Sequence, residues 1–120
     1  MNNKERATQF LKMAGLGDVK SAYSKFIAPN FIHHNQYFKG DRQSLLDAME
    51  QAHQEDPNKS IKIKNIFEDG NTVITHSLVE KENVDIAVVH IFRFEGDKVA
   101  ELWDLGQLID KDSPNEMGLF

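Results

Sequence analysis

His90 and Asp104 are the residues of this chain best placed to do chemistry. Each sits in a strand-like run, Ile86–Phe94 and Val99–Leu105, and the two runs are joined by Glu95-Gly96-Asp97. An ionisable group on a strand built for burial is costly unless it is paired or used. An imidazole and a carboxylate sharing one cavity are what proton transfer on a small carbonyl compound requires. In that reading Asp104 is the acid/base and His90 helps hold a developing enolate oxygen. The plainer alternatives are a carboxylate that caps a backbone group and a buried histidine whose bonds are satisfied.

Alternation along the strands sorts residues by face. Val88, His90, Phe92 and Phe94 share one face, and so do Leu102, Asp104 and Gly106. A three-residue hairpin loop puts His90 opposite Leu102, with Asp104 one diagonal step away, about 7–8 Å. A two-residue loop would slip the register and separate the pair onto opposite faces. Phe92 and Leu102 then join the pocket wall, and His76, on a face with Ile74 and Leu78, is a further pocket contact. The segment Phe31–Gly40 is dense in polar aromatics and imidazoles. His34, Asn35 and Tyr37 could supply a pocket rim or floor, or fix their own loop through backbone hydrogen bonds. His33 and His34 cannot both point inward if the stretch is extended. On the opposite sheet face, Ile91, Arg93, Glu101 and Trp103 suggest burial against a second copy, so a homodimer is expected.

The elements that must position these groups come in two blocks. Ala7, Phe10, Leu11 and Ala14 fall at i, i+3, i+4 and i+7, a helix that Gly15 and Gly17 stop. Asp18 can cap a second short helix bearing Ala22, Tyr23 and Phe26, which Pro29 and Asn30 end. A third opens near Asp41 and carries Leu45, Leu46, Met49 and Ala52 as far as Asp56-Pro57-Asn58. Beyond it the period drops to two. Ile61, Ile63 and Phe67 alternate with lysines, Glu68–Asn71 is a hairpin turn, and Thr72–Val79 precedes the two chemistry-bearing strands. Helices followed by an antiparallel meander make this an α+β chain. Residues 1–120 read as one domain, with a polar tail from about 110 to 120 in which Leu119 and Phe120 could dock.

Composition narrows the classes. With 14 basic and 19 acidic residues the net charge is −5, and no basic stretch stands out, so nucleic acid is not expected as a partner. The absence of cysteine removes disulfides and thiolate chemistry. His33, His34, His76, His90 and Asp104 include metal-ligand types, but no H-x-x-x-H or H-x-D spacing occurs; no metal or cofactor is expected. The start lacks an apolar leader core and no run reaches membrane-spanning length, so a cytoplasmic location is expected.

Two stretches resemble a known family. Phe31-Ile32-His33-His34-Asn35 followed by Gly40-Asp41 is similar to the "H-N-P … G" segment of SnoaL-like proteins, within the NTF2-like superfamily. His90–Gln107 resembles that group's "D-I-F-R … G-K-I-x-E-H-W-D-x-x-Q" signature. The resemblance spans roughly residues 4–109. It implies an NTF2-like cone, in which N-terminal helices close a curved antiparallel sheet around a pocket. It also implies that His90 and Asp104 match the positions serving aldol closure in polyketide cyclases. Related ketosteroid isomerases place an oxyanion-stabilising carboxylic acid where His90 stands. Gln36 replaces the family proline, His90 an aspartate, and Leu102 the histidine of "E-H-W-D". Two functions are therefore expected as rivals. One is a cofactor-independent cyclase or isomerase acting on a small hydrophobic carbonyl compound. The other is a non-catalytic ligand-binding or dimer-scaffold protein, which the departures favour somewhat.

Overall fold

A computed structural model describes residues 1–120. Helix α1 (Asn3–Gly15) buries the expected stripe Ala7, Phe10, Leu11 and Ala14, and the Asn2 side chain caps it by accepting from the Glu5 N–H at 2.8 Å. Gly17 lets the chain turn away, with φ of +108° and the His53 imidazole packed where a side chain would go. Helix α2 (Val19–Phe26) buries Val19, Ala22, Tyr23 and Phe26; Asp18 holds its cap position but makes no capping bond. Helix α3 (Arg42–Glu55) begins at Asp41, whose carboxylate accepts from the Ser44 N–H at 3.2 Å and the Ser44 hydroxyl at 2.6 Å.

The five strands are β1 (Ile27–His34), β2 (Ser60–Asp69), β3 (Thr72–Glu80), β4 (Asp85–Glu95) and β5 (Lys98–Leu108), in spatial order β1-β5-β4-β3-β2. The four later strands form the expected antiparallel meander. Strand β1 does not follow the expectation that Pro29 and Asn30 merely end a helix. It pairs in parallel with β5, making the sheet mixed. Proline is tolerated there because β1 is an edge strand, and Pro29 and Asn30 are exposed.

Two bulges set the faces. In β2 the register shifts between Ile63 and Asn65, so Ile61, Ile63 and Ile66 lie inward while Phe67 turns out and is exposed. In the β4–β5 hairpin, Glu95 pairs with Lys98, which leaves a two-residue loop with Gly96 at φ +62°. Phe94 then faces Val99, but Arg93 faces Glu101, so Ala100 is the extra residue. Of the two loop lengths weighed, the shorter is present, and the bulge undoes the slip that a two-residue loop alone would cause. Phe92 pairs with Leu102 and His90 pairs directly with Asp104.

The sheet curves around a core between its concave face and the helices. Val73, Phe92, Phe94, Val99 and Leu102 meet Phe10, Tyr23, Phe26 and Phe31 there. Phe10 packs on Tyr23 and Phe92 with ring centroids 5.6 and 6.2 Å apart. Each such buried aromatic contributes about 2–3 kcal/mol by removal from water. No helix is long and apolar enough to cross a membrane.

Candidate functional site

His90 and Asp104 meet at the mouth of the cone. As direct cross-strand partners on the concave face, they bring His90 Nε2 to 3.2 Å from Asp104 Oδ1. The other carboxylate oxygen, Oδ2, accepts from the Asn35 amide Nδ2 at 2.8 Å. Asn35 reaches it because the parallel β1–β5 register sets His34 beside Trp103, and the next residue then stands over Asp104. Its own Oδ1 accepts from the Tyr37 N–H at 2.9 Å, which fixes the amide orientation.

Asp104 is mostly buried. Burial pushes its carboxyl up, but the hydrogen bond and charge of His90, the Asn35 amide and the His33 charge outweigh that, so it lies below the usual aspartate value. Asp104 is therefore a carboxylate at neutral pH. Each oxygen keeps a lone pair free beyond the bonds it accepts.

Beside Asp104 opens a cleft of about 530 Å³. Asn35, Gln36 and Tyr37 form one rim, Ile86 and Val88 an apolar wall, and Gly106 the floor next to Asp104. No lysine or arginine lines it. The remaining amide proton of Asn35 makes no bond within the protein, so a carbonyl oxygen in the cleft has a donor near the base.

The other expected contacts divide. Phe92 and Leu102 are on the concave face, but at 0% and 3% exposure they belong to the core and not to the cleft wall. Tyr37 stands at the rim, 78% exposed. The His34 ring points to the convex face, where it stacks on Trp103 at 4.8 Å and bonds Glu101 at 2.7 Å. Although the residue borders the cleft, its imidazole is engaged outside it. His76 is also on the convex face, stacked on Phe120 at 4.7 Å, because β3 buries Val73, Thr75, Ser77 and Val79 on the alternate positions. It is not a contact of the Asp104 cleft, and His90, which lies behind the Asp104 carboxylate, does not line that cleft either.

Two residues near the site were not singled out by spacing. His33 is the inward member of its pair, 5% exposed. Its Nδ1 accepts from the Asn35 N–H at 3.1 Å and its Nε2 bonds the Lys39 carbonyl at 2.6 Å, which pins the loop that delivers Asn35. Tyr23 looked like one more apolar helix residue. Its phenol is fully buried, donates to Met49 Sδ at 3.4 Å, and is pushed above the usual tyrosine range by burial, against Arg42 and with help from Asp104. No signal short of the folded register links either residue to Asp104.

A concave mixed sheet closed by helices, with a cleft at its open end, defines an NTF2-like cone. Solved structures agree. An NTF2-like protein of unknown function from Burkholderia xenovorans matches with a TM-score of 0.73 at 16% identity, over 94% of this chain and 87% of that one. TsrD from Streptomyces laurentii matches at 0.72 and 14% identity, over 89% and 92%. A candidate polyketide cyclase from Acidithiobacillus ferrooxidans matches at 0.71 and 18% identity, over 86% of each chain. Among curated proteins none matches. The sequence profile of the SnoaL-like domain matches residues 7–102, and the chain belongs to that family.

Proposed function

We propose that this chain is an acid–base enzyme acting on a small, neutral carbonyl compound held in the Asp104 cleft. The observation that carries the reading is the ionised Asp104 carboxylate, held by His90 and Asn35 beside a cleft that has an apolar wall and no cation. Asp104 takes a proton from the carbon next to a carbonyl, and the electron pair moves onto the carbonyl oxygen. The free amide proton of Asn35 stabilises that oxygen, while the His90 Nε2–H stays on Asp104 Oδ1 and holds the carboxylate in place. Attack of the carbanion on a second carbonyl of the same molecule forms the new carbon–carbon bond, and Asp104 returns its proton to the resulting alkoxide. A carboxylate below its usual pKa is a weak base, so the substrate's acidic carbon must be flanked by two carbonyls. The convex sheet face is read as the seat of a second copy.

The test is exchange of α-protons for deuterium in β-dicarbonyl compounds, followed by NMR. Wild type accelerates exchange, and Asp104→Asn loses about a hundredfold or more. Equal rates for the two proteins would leave the cleft as a binding site without catalysis, the second reading, which the engagement of both Asp104 oxygens by the protein favours.

A further inference from the structure

The concave face of β3 presents two hydroxyls beside His90 that nothing else in the protein answers. Thr75 is the direct cross-strand partner of His90, and Ser77 pairs with Val88, two residues along the same face of β4. Thr75, Ser77 and His90 therefore occupy one patch, with directly opposed Cβ atoms about 5 Å apart and the diagonal about 7–8 Å. Thr75 is 0% exposed and Ser77 1%. Thr75 Oγ1, Ser77 Oγ and His90 Nδ1 are all buried and all lack a hydrogen-bond partner. The flanking positions on this face, Val73, Val79, Val88 and Phe92, carry no polar side-chain atom. Native interiors rarely leave one such atom unanswered, so three in one patch call for a common answer.

His90 Nε2 faces the Asp104 carboxylate, which only accepts, so that nitrogen carries the proton of their bond. In a neutral ring Nδ1 is then an acceptor, and the rotatable hydroxyls next to it are donors. A single water can take both hydroxyl protons and donate one of its own to Nδ1. That gives it three bonds, the usual number for a buried water.

We propose that Thr75 and Ser77 are positioning residues: through one shared buried water they hold His90 Nδ1 as the acceptor nitrogen and keep the ring proton on Nε2, facing Asp104. The role rests on the reading of His90 and Asp104 as the reacting pair, but its first readout needs no substrate. Without the hydroxyls the proton can move to Nδ1, and Nε2 would then meet Asp104 lone pair to lone pair. The carboxylate would lose the donor that keeps it oriented toward the cleft.

The experiment uses protein labelled with 15N-histidine and long-range proton–nitrogen spectra of His90 at a pH where the ring is neutral. Wild type should show the Nε2–H tautomer alone. Thr75→Val, which keeps the side-chain shape, combined with Ser77→Ala should give a mixture of tautomers, and Thr75→Ser should restore the wild-type pattern. In the proton-exchange assay the double variant should lose roughly tenfold in kcat with KM within about twofold, as expected for a group that acts through another. A wild-type Nδ1–H tautomer would overturn the proposal, even if the double variant failed to fold. Unchanged ring shifts in a folded double variant would overturn it too. A tautomer change with no loss of kcat would support the hydroxyl role and count against catalysis by the pair.

Discussion

Asp104, the base in the proposed reaction, also bears on stability. Its folded-state pKa lies below the unfolded one, so the folded protein binds fewer protons as pH falls toward the carboxylate range. The Asp104 contribution to stability is therefore fully present above the usual value of 3.8 and is lost as pH drops below it through the folded value. Urea unfolding followed from pH 6 down to about pH 3 should show this loss, with a shallower decline in Asp104→Asn. A parallel decline in both proteins would assign the acid sensitivity to other carboxylates. Gly106 offers the complementary test of the cleft. A Cβ built there meets Ile86 and Val88 methyls at 3.6 and 3.8 Å and the Ala87 carbonyl oxygen at 3.9 Å, all ordinary contact distances, and the position faces the cleft beside Asp104. Gly106→Leu should therefore fold with near wild-type stability while filling the cavity. Titration calorimetry with a β-dicarbonyl ligand should register binding to wild type and a loss of at least tenfold in the variant. Undiminished binding would place the ligand elsewhere.

At the scale of elements, the loop between β1 and α3 matters as much as the strands. His33 closes it from both ends, on the Asn35 N–H and the Lys39 carbonyl, and the His33 N–H itself donates to Gly40. His33→Phe should keep the buried bulk yet release the loop. Hydrogen exchange is expected to speed up at Asn35 by an order of magnitude or more while β3 and β4 amides hold their protection. Uniform acceleration would mean that His33 is a core residue and nothing more. This loop also marks where the sequence stopped being legible. His90 and Asp104 could be read as one site because strand alternation is a two-residue rule that needs no tertiary information. Their direct pairing could not, since it depends on the extra residue Ala100, and a buried alanine beside a buried valine carries no sign of a bulge. Strand β1 was hidden by Pro29, a breaker everywhere except at an edge. With β1 unread, the choice between His33 and His34 could not be made. His76 failed for a different reason: its neighbours Ile74 and Leu78 are as apolar as a concave wall, because the convex face is apolar too.

That second apolar face is a property of the whole molecule. A compact monomer of 13.7 kDa exposes roughly 6,600 Å² by the usual mass scaling, whereas this chain exposes 7198 Å². Part of the exposed apolar surface lies on the convex sheet, where Phe67 and Leu105 are 59% and 56% accessible around half-buried Ile74, Val89, Ile91 and Trp103. The C-terminal tail covers one end of it, with Phe120 on His76 and the Lys64 ammonium 5.9 Å from the Phe120 ring. The centre, around Ile91 and Trp103, stays open. Arg93 and Glu101 meet there at 3.0 Å, a ready-made polar rim for a symmetric contact. We propose a second copy as the occupant, since a face both apolar at its centre and internally charge-balanced can match itself. Sedimentation velocity at tens of micromolar protein should therefore report a dimer. Ile91→Glu, on the face opposite to His90, should yield a monomer that still binds ligand in the Asp104 cleft. A wild-type monomer at that concentration would refute the interface, and a dimeric Ile91→Glu variant would move it to another surface.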